Sequence, residues 1–216
     1  MSNQQATTTE PLTLALPKGR LEKDVQKHLA ARGIEFSFED RKLVAYDPSG
    51  LLKIMLVKNA DLPVYVHHGI AGLGICGDDV IYESGYEFFT LANLPFGSTK
   101  MCLAGMKGAT PALNEAGVMR VATKFTRFTR DYFHNQGAAV EMVKLNGSVE
   151  LAPVLGLSPY IVDLVETGST LKANNLEVLQ VLQEISVRLI ANPAYYKYHY
   201  QRVNTFVQLL TREAAQ

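Results

Sequence analysis

The stretch from Ile161 to Leu171, Ile-Val-Asp-Leu-Val-Glu-Thr-Gly-Ser-Thr-Leu, gathers the side chains of this sequence best suited to chemistry. Ile161–Val165 is dense in β-branched residues and predicts a short strand. It runs directly into Thr167-Gly168-Ser169-Thr170. A glycine among hydroxyl residues after a strand suits a phosphate. Gly168 lets the backbone approach an anion closely, and the hydroxyl and N–H groups can donate to it. Asp163 and Glu166 stand just upstream. Carboxylates beside a phosphate repel it unless they bind something else, and sugar hydroxyls or a divalent cation such as Mg2+ are the natural candidates. Phosphoribosyl pyrophosphate (PRPP) combines a phosphate, a diol and a magnesium-binding diphosphate in one molecule. A strand ending in an ordinary polar turn is the competing explanation, because short motifs also arise by chance.

Other charged positions have weaker local claims. Lys18-Gly19-Arg20 follows a strand-like run and opens a helix, so two cations and a glycine meet at a helix start. That arrangement can bind a polyphosphate or a carboxylate, or can simply face solvent. Arg41-Lys42 begins another strand-like run and by itself reads first as a solvated strand end. Glu150 opens a short helix and reads first as a dipole partner, although it lies one helix before the phosphate loop and can enter the same pocket. The pair His67-His68 lacks ligands at metal-binding spacing, and adjacent residues on a helix do not point together. Tyr195, Tyr196, Tyr198 and Tyr200 suit packing or an interface better than a base platform. No Ser-His-Asp order or reactive-cysteine signature is present.

The elements that must position these residues alternate between strand and helix patterns, which argues for an α/β fold. Leu12–Leu16 reads as a strand. Arg20–Arg32 reads as a helix with Leu21, Val25 and Leu29 on one stripe. Leu43–Tyr46 and Leu51–Val57 form a hairpin about Asp47-Pro48-Ser49-Gly50, and Asn59 opens a short helix. Gly72–Gly77 is a strand, and Asp78-Asp79 starts a helix. Around Pro95–Lys100 the texture changes, and a second set of units begins with a strand over Met101–Met106. Strands at Met119–Thr123, Ala139–Leu145 and Ile161–Val165 follow, with helices at Arg127–Gln136 and Ser148–Leu155. A long strand over Glu177–Ile190 and one tyrosine-rich helix over Ala194–Thr211 end the pattern. The expected organisation is a disordered tail over residues 1–10, one lobe from 11–100 plus 187–216, and a second lobe from 101–186 carrying the phosphate loop. A cleft would lie between the lobes, with Pro17–Arg20 and the phosphate loop facing each other at strand carboxyl ends.

Composition narrows the class. The 216 residues are 47% hydrophobic, enough for a sizeable core. Twenty-one basic residues balance 21 acidic ones, so there is no basic field for nucleic acid. Cys76 and Cys102 sit in apolar runs and read as buried free thiols of a reducing compartment. Met1–Glu10 is polar and fits neither a signal peptide nor a membrane span, so a cytoplasmic protein is expected.

Five segments occur in an order that resembles the ATP phosphoribosyltransferase family. They are Leu14-Ala15-Leu16-Pro17-Lys18-Gly19-Arg20, Gly74-Ile75-Cys76-Gly77-Asp78-Asp79, Arg120-Val121-Ala122-Thr123-Lys124, Glu150-Leu151-Ala152-Pro153 and the 161–171 run. The resemblance extends from about Leu12 to Leu210. It implies two α/β lobes around a cleft, like type II periplasmic binding proteins. It also implies that N1 of the ATP adenine attacks C1 of PRPP, releasing pyrophosphate with Mg2+ required, as the first step of histidine biosynthesis. By position, Glu166, Thr167, Gly168, Ser169, Thr170 and Leu171 match the loop for the 5-phosphate. Asp163 and Glu150 match acids near the ribose and metal. Lys18, Arg20 and Arg41 match basic positions near ATP and pyrophosphate, with Arg20 and Arg41 as the catalytic cations. The chain ends at Gln216, where long-form members continue into a histidine-binding domain, so it resembles the short form. That form implies a homodimer of catalytic subunits within a hetero-octamer, together with a regulatory subunit resembling histidyl-tRNA synthetase. The last helix would then be interface material.

Two other functions fit parts of the sequence. A non-catalytic two-lobed binding protein shares the expected architecture, but Asp163, Glu166 and the Thr167–Thr170 loop do not suit a plain amino-acid binder. A base-salvage phosphoribosyltransferase shares PRPP but not the Pro17–Arg20 and Glu150–Pro153 segments.

Overall fold

The computed structural model describes residues 10–112 and 117–212. In chain order the elements are β1 (Leu12–Pro17), α1 (Arg20–Ala30), β2 (Val44–Tyr46), β3 (Leu52–Val57), α2 (Leu62–His67), β4 (Leu73–Gly77), α3 (Asp78–Ser84), β5 (Phe89–Met106), β6 (Val118–Thr123), α4 (Thr126–Asn135), β7 (Ala139–Lys144), α5 (Leu151–Val154), β8 (Tyr160–Val165), α6 (Ser169–Ala173), β9 (Leu176–Ala191), α7 (Pro193–Tyr198) and α8 (Tyr200–Thr211). Of the tail expected over residues 1–10, only Glu10 falls among the described residues.

The chain divides into two compact units. The first runs through Cys76 and also takes in Tyr86–Gly97 and the chain from Val187 onward. The second is Gly77–Gly85 with Ser98–Ser186. Strands β5 and β9 each pass from one unit into the other along their length.

In the first unit, β1 pairs in parallel with β3 in the register Leu12↔Leu52, Leu14↔Ile54 and Leu16↔Leu56. Side chains alternate across a strand, so these six share one face. They are all buried, and Val25 and Leu29 of α1 and Val203, Phe206 and Leu210 of α8 join the same cluster. Each fully buried Leu or Ile contributes about 1.5–3 kcal/mol. The hairpin turn before β3 is held by Asp47, whose carboxylate accepts from Ser49 N at 3.0 Å and Leu52 N at 2.5 Å.

In the second unit, β8 lies between β5, antiparallel, and β6, parallel, with β7 beyond β6. The two faces of β8 have different company. Tyr160, Val162 and Leu164 pack with Met101, Leu103, Val121 and the phenylalanines of α4. Ile161 and Val165 pack instead with Val149 and Ala152 around α5 and with Leu171 of α6. Asp163 shares that second face by alternation.

Several elements differ from the sequence-based expectation. Strand β5 starts at Phe89, not Met101, and carries Pro95 and Gly97 within it. The long terminal helix is two helices, separated at His199, whose φ of −105° and ψ of 24° leave the helical region. The helix expected over Ser148–Leu155 shrinks to Leu151–Val154, and the helix expected at Asn59 opens as a 3-10 turn over Asn59–Asp61 before α2. A helix not anticipated, α6, follows Gly168 directly. Arg41 does not begin a strand. It sits in a turn closed by Lys42 N donating to Glu39 O at 3.0 Å, with φ at +60°.

Candidate functional site

A polar cavity of about 270 Å³ lies in the second unit at the carboxyl end of β8. Its wall is continuous from Asp163 through Leu171, and Glu150 and Ile161 complete it. The position follows from packing. Val149 and Ala152 flank Glu150, Ile161 and Val165 flank Asp163, and Leu171 closes the loop. All five belong to one small apolar cluster, with Val165 partly buried at its edge. Burial of that cluster fixes the floor, and the polar residues between its members are left facing the cavity.

The loop geometry is set by Gly168. Its φ is +73° and its ψ is 5°, in the left-handed region that an L side chain enters at a cost of about 1–2 kcal/mol. This bend turns β8 into α6, whose first i→i+4 bond is Lys172 N to Gly168 O at 3.0 Å. The N–H groups of the first turn therefore have no acceptor within the helix. Thr167 and Ser169 bring their hydroxyl oxygens to 3.1 Å, and Ser169 N donates to Thr167 Oγ1 at 3.4 Å. The loop thus presents two hydroxyls and a run of backbone donors in one small arc, a concavity suited to an anion.

Three acids, Glu150, Asp163 and Glu166, line the same cavity. Asp163 is about one-quarter exposed, while its Oδ1 is buried and accepts no hydrogen bond from the described residues. Lys124 Nζ stands 3.4 Å from that oxygen, at an angle that makes the pair a charge contact rather than a hydrogen bond. A further carboxyl, Asp79 at the start of α3, is only 4% exposed. Burial pushes it above its ordinary range, against hydrogen bonds from the Val80 and Asp79 amides and the positive charge of Lys124.

Glu150, Asp163, Glu166, Thr167, Gly168, Ser169, Thr170 and Leu171 therefore converge on one pocket. Lys18, Arg20 and Arg41 belong to the first unit and are not among its lining residues. Lys18 N donates to Val57 O at 3.0 Å, and Gly19, with φ at +113°, ends β1 and starts α1. Glu22 accepts from Gly19 N at 3.3 Å, so the turn that carries Lys18 and Arg20 is capped by its own helix. The Arg41 side chain is 93% exposed and touches only Asp40, at 3.8 Å, among the ion pairs of the described residues. Lys124 was visible in the sequence only as part of a segment, with no role attached. Its contact with Asp163 joins residues 39 apart, and no local pattern announces it.

The carboxylates of Glu150, Asp163 and Glu166 line the pocket and are hard oxygen donors of the kind Mg2+ takes. Among the described residues, no group of three or more His, Cys, Asp or Glu side chains could enclose a metal unaided. The pocket therefore fits a cation that arrives with substrate oxygens, since Mg2+ commonly uses one or two carboxylates together with substrate phosphates. No helix among the described residues is long and apolar enough to cross a membrane.

Known proteins resemble this chain over most of its length. The family model for ATP phosphoribosyltransferase (HisG) matches residues 58–212. The ATP phosphoribosyltransferase of Clostridioides difficile is 42% identical over 200 residues, covering 92% of this chain and 96% of the relative. That of Caldicellulosiruptor bescii is 45% identical over 190 residues, covering 86% and 91%. Among solved structures, the ATP phosphoribosyl transferase (HisG:HisZ) complex from Thermotoga maritima superposes with a TM-score of 0.79 at 38% identity, covering 92% of this chain and 96% of that one. The periplasmic aliphatic sulphonate binding protein SsuA from Escherichia coli superposes with a TM-score of 0.64 at 13% identity, covering 94% and 72%. The likeness to SsuA shows the fold alone, that of the periplasmic binding proteins.

Proposed function

The chain belongs to the ATP phosphoribosyltransferase family, and we propose that the pocket at the end of β8 is its PRPP site. The enzyme joins N1 of the ATP adenine to C1 of PRPP, giving phosphoribosyl-ATP and pyrophosphate in the first step of histidine biosynthesis. The observation that carries the site assignment is the Gly168 bend, which brings two hydroxyls and the start of a helix into one cavity with three carboxylates.

In this reading Thr167–Thr170 hold the 5-phosphate, with Glu166 and Leu171 fixing the ends of the loop. Asp163 accepts from the ribose hydroxyls, and Glu150 faces the ribose and the metal. Lys18 and Arg20 serve ATP, and Arg20 and Arg41 stabilise the departing pyrophosphate. Mg2+, when bound, supplies charge neutralisation on the diphosphate, and Glu150 would hold it alongside substrate oxygens.

The reaction forms the N1–C1 bond and breaks the bond from C1 to the diphosphate oxygen, whose electron pair leaves with pyrophosphate. The adenine ring nitrogen attacks with its own lone pair, so no general base is needed at the start. As C1 gains positive character, the carboxylates beside the ribose stabilise it. Positioning of the two substrates can supply about 7–11 kcal/mol. Each charged donor aimed at the leaving group adds about 3–4 kcal/mol, by analogy with an oxyanion donor.

The solved complex of Thermotoga maritima joins HisG to HisZ. For this chain we infer the short-form arrangement, with a histidyl-tRNA-synthetase-like regulatory subunit in a hetero-octamer built on catalytic homodimers. The test is an assay of the purified protein with PRPP, Mg2+ and ATP, then with free adenine or other bases, with and without that partner. Turnover with ATP alone among the acceptors supports the reading, and turnover with a free base instead refutes it.

A further inference from the structure

Lys124 is a charged residue of the second unit that the reaction scheme leaves without a role, and its surroundings are unusually constrained. It follows Thr123 at the carboxyl end of β6. Thr123 is fully buried, its Oγ1 donates to Val162 O at 2.7 Å, and it accepts from Phe125 N at 2.9 Å. These two bonds staple the backbone around Lys124 to the residue immediately before Asp163. The Lys124 ammonium also stands 4.9 Å over the ring of Phe125, which is only 3% exposed. The backbone is thus held, and the ammonium of the 41% exposed side chain stands 3.4 Å from Asp163 Oδ1.

The electrostatic setting is equally one-sided. Glu150, Asp163 and Glu166 line the pocket, and among the described residues no Lys or Arg lines it with them. Asp79 lies buried close enough for the Lys124 charge to act on it. Lys124 is therefore a cation set among carboxyl groups from α3 and β8. Asp163 Oδ1 has no hydrogen-bond donor among the described residues, and a buried carboxylate oxygen without one is costly unless a charge compensates it. Lys124 supplies that charge from outside the cavity wall.

We propose that Lys124 is the positioning residue for Asp163 in sugar-donor binding. Its ammonium anchors Oδ1 on the protein side, which leaves the other carboxylate oxygen to accept from the ribose diol. Lys124 thus acts through Asp163, not by touching the donor. This inference rests on the assignment of the pocket to PRPP.

A double-mutant cycle separates this role from a direct phosphate contact. Affinity for PRPP with Mg2+ is measured by calorimetry for the wild type, Lys124→Met, Asp163→Asn and the double variant. ATP affinity and the melting temperature are recorded alongside. Lys124→Met is expected to weaken PRPP binding about tenfold, equivalent to ~1.4 kcal/mol, and to leave ATP affinity unchanged. Lys124→Arg keeps a cation beside Oδ1 and is expected to recover most of the loss. The double variant is expected to bind PRPP no more weakly than Asp163→Asn alone, because the lysine has nothing left to position.

Unchanged PRPP affinity in folded Lys124→Met overturns the proposal. So does a double variant whose losses multiply, which marks a lysine acting independently of Asp163. If Lys124→Met does not fold, the same comparison is made with Lys124→Gln. Failure of the wild type to bind PRPP overturns the pocket assignment itself, a result distinct from either outcome above.

Discussion

Replacing Gly168 by valine tests the loop at its most constrained point. A Cβ built on Gly168 meets only Val165 Cγ1, at 3.9 Å, an ordinary van der Waals distance. The penalty therefore comes from the backbone and not from crowding. With φ at +73°, an L residue costs about 1–2 kcal/mol, and a β-branched one lies at the upper end. Two outcomes share that energy. If α6 and β8 hold the bend, it appears as lost stability. If the bend relaxes, Ser169 N and Thr170 N move off the phosphate, and about 1–2 kcal/mol becomes roughly a 5–30-fold rise in the PRPP dissociation constant. Valine at this position also stands between the phosphate and the backbone, so the rise in PRPP KM is expected to exceed that range while the ATP KM stays near its original value. Gly168→Asn is the control, since asparagine tolerates the left-handed region and keeps the backbone in place. Steady-state kinetics with PRPP varied at saturating ATP gives the answer. Wild-type PRPP kinetics in a folded Gly168→Val protein would refute the loop assignment.

Four further outcomes follow from particular contacts. Arg41→Ala is expected to cut kcat/KM several hundredfold, roughly 10²–10³, as loss of one charged transition-state donor does. Its side chain is 93% exposed, so urea unfolding should move by less than about 0.5 kcal/mol. Glu83→Ala removes the carboxylate that accepts from Thr126 Oγ1, Arg127 N and Phe128 N at the start of α4, and should cost about 0.5–2 kcal/mol in the same experiment. Gly72→Ala drives a methyl group to 2.1 Å from the Tyr195 ring, whose hydroxyl accepts from Thr13 N. Overpacking of this kind costs about 1–3 kcal/mol, read as a lower Tm. Asp79→Asn is expected to stabilise the protein at neutral pH. Burial raises the folded-state pKa of Asp79, so its contribution to stability is fully present below the ordinary carboxyl pKa and is lost as pH rises through the folded value. The gain from asparagine should be present at pH 8 and shrink on acidification, and a pH-independent difference contradicts this account of Asp79.

How much of the molecule could be foreseen depends on the range of each interaction. Ile161–Val165 announced itself as a strand because β-branched residues crowd into five positions, and β8 spans Tyr160–Val165. The stripe Leu21, Val25, Leu29 did the same for α1, whose Val25 and Leu29 are buried. Helix α6 has five residues, too few for a helical period to show, so the polar run after Gly168 read as loop alone. Pro95 and Gly97 are local breakers, and they suggested a boundary inside β5, where sheet pairing overrides them. His199 interrupts the last helix without glycine or proline, leaving nothing in the composition to mark it. Within the site, Glu150 and the 163–171 stretch could be expected to meet because one helix and one strand separate them. Lys124 and Asp163 meet only through the parallel pairing of β6 with β8, and that register is a property of the whole sheet.

Catalysis in this scheme depends on where the sugar donor sits. Backbone amide NMR of the intact protein, titrated with PRPP and Mg2+, reads this directly. The signals of Thr167, Gly168, Ser169, Thr170 and Leu171 are expected to shift together and to saturate with the calorimetric affinity. Saturating PRPP binding that leaves these five signals in place while moving others would contradict the account.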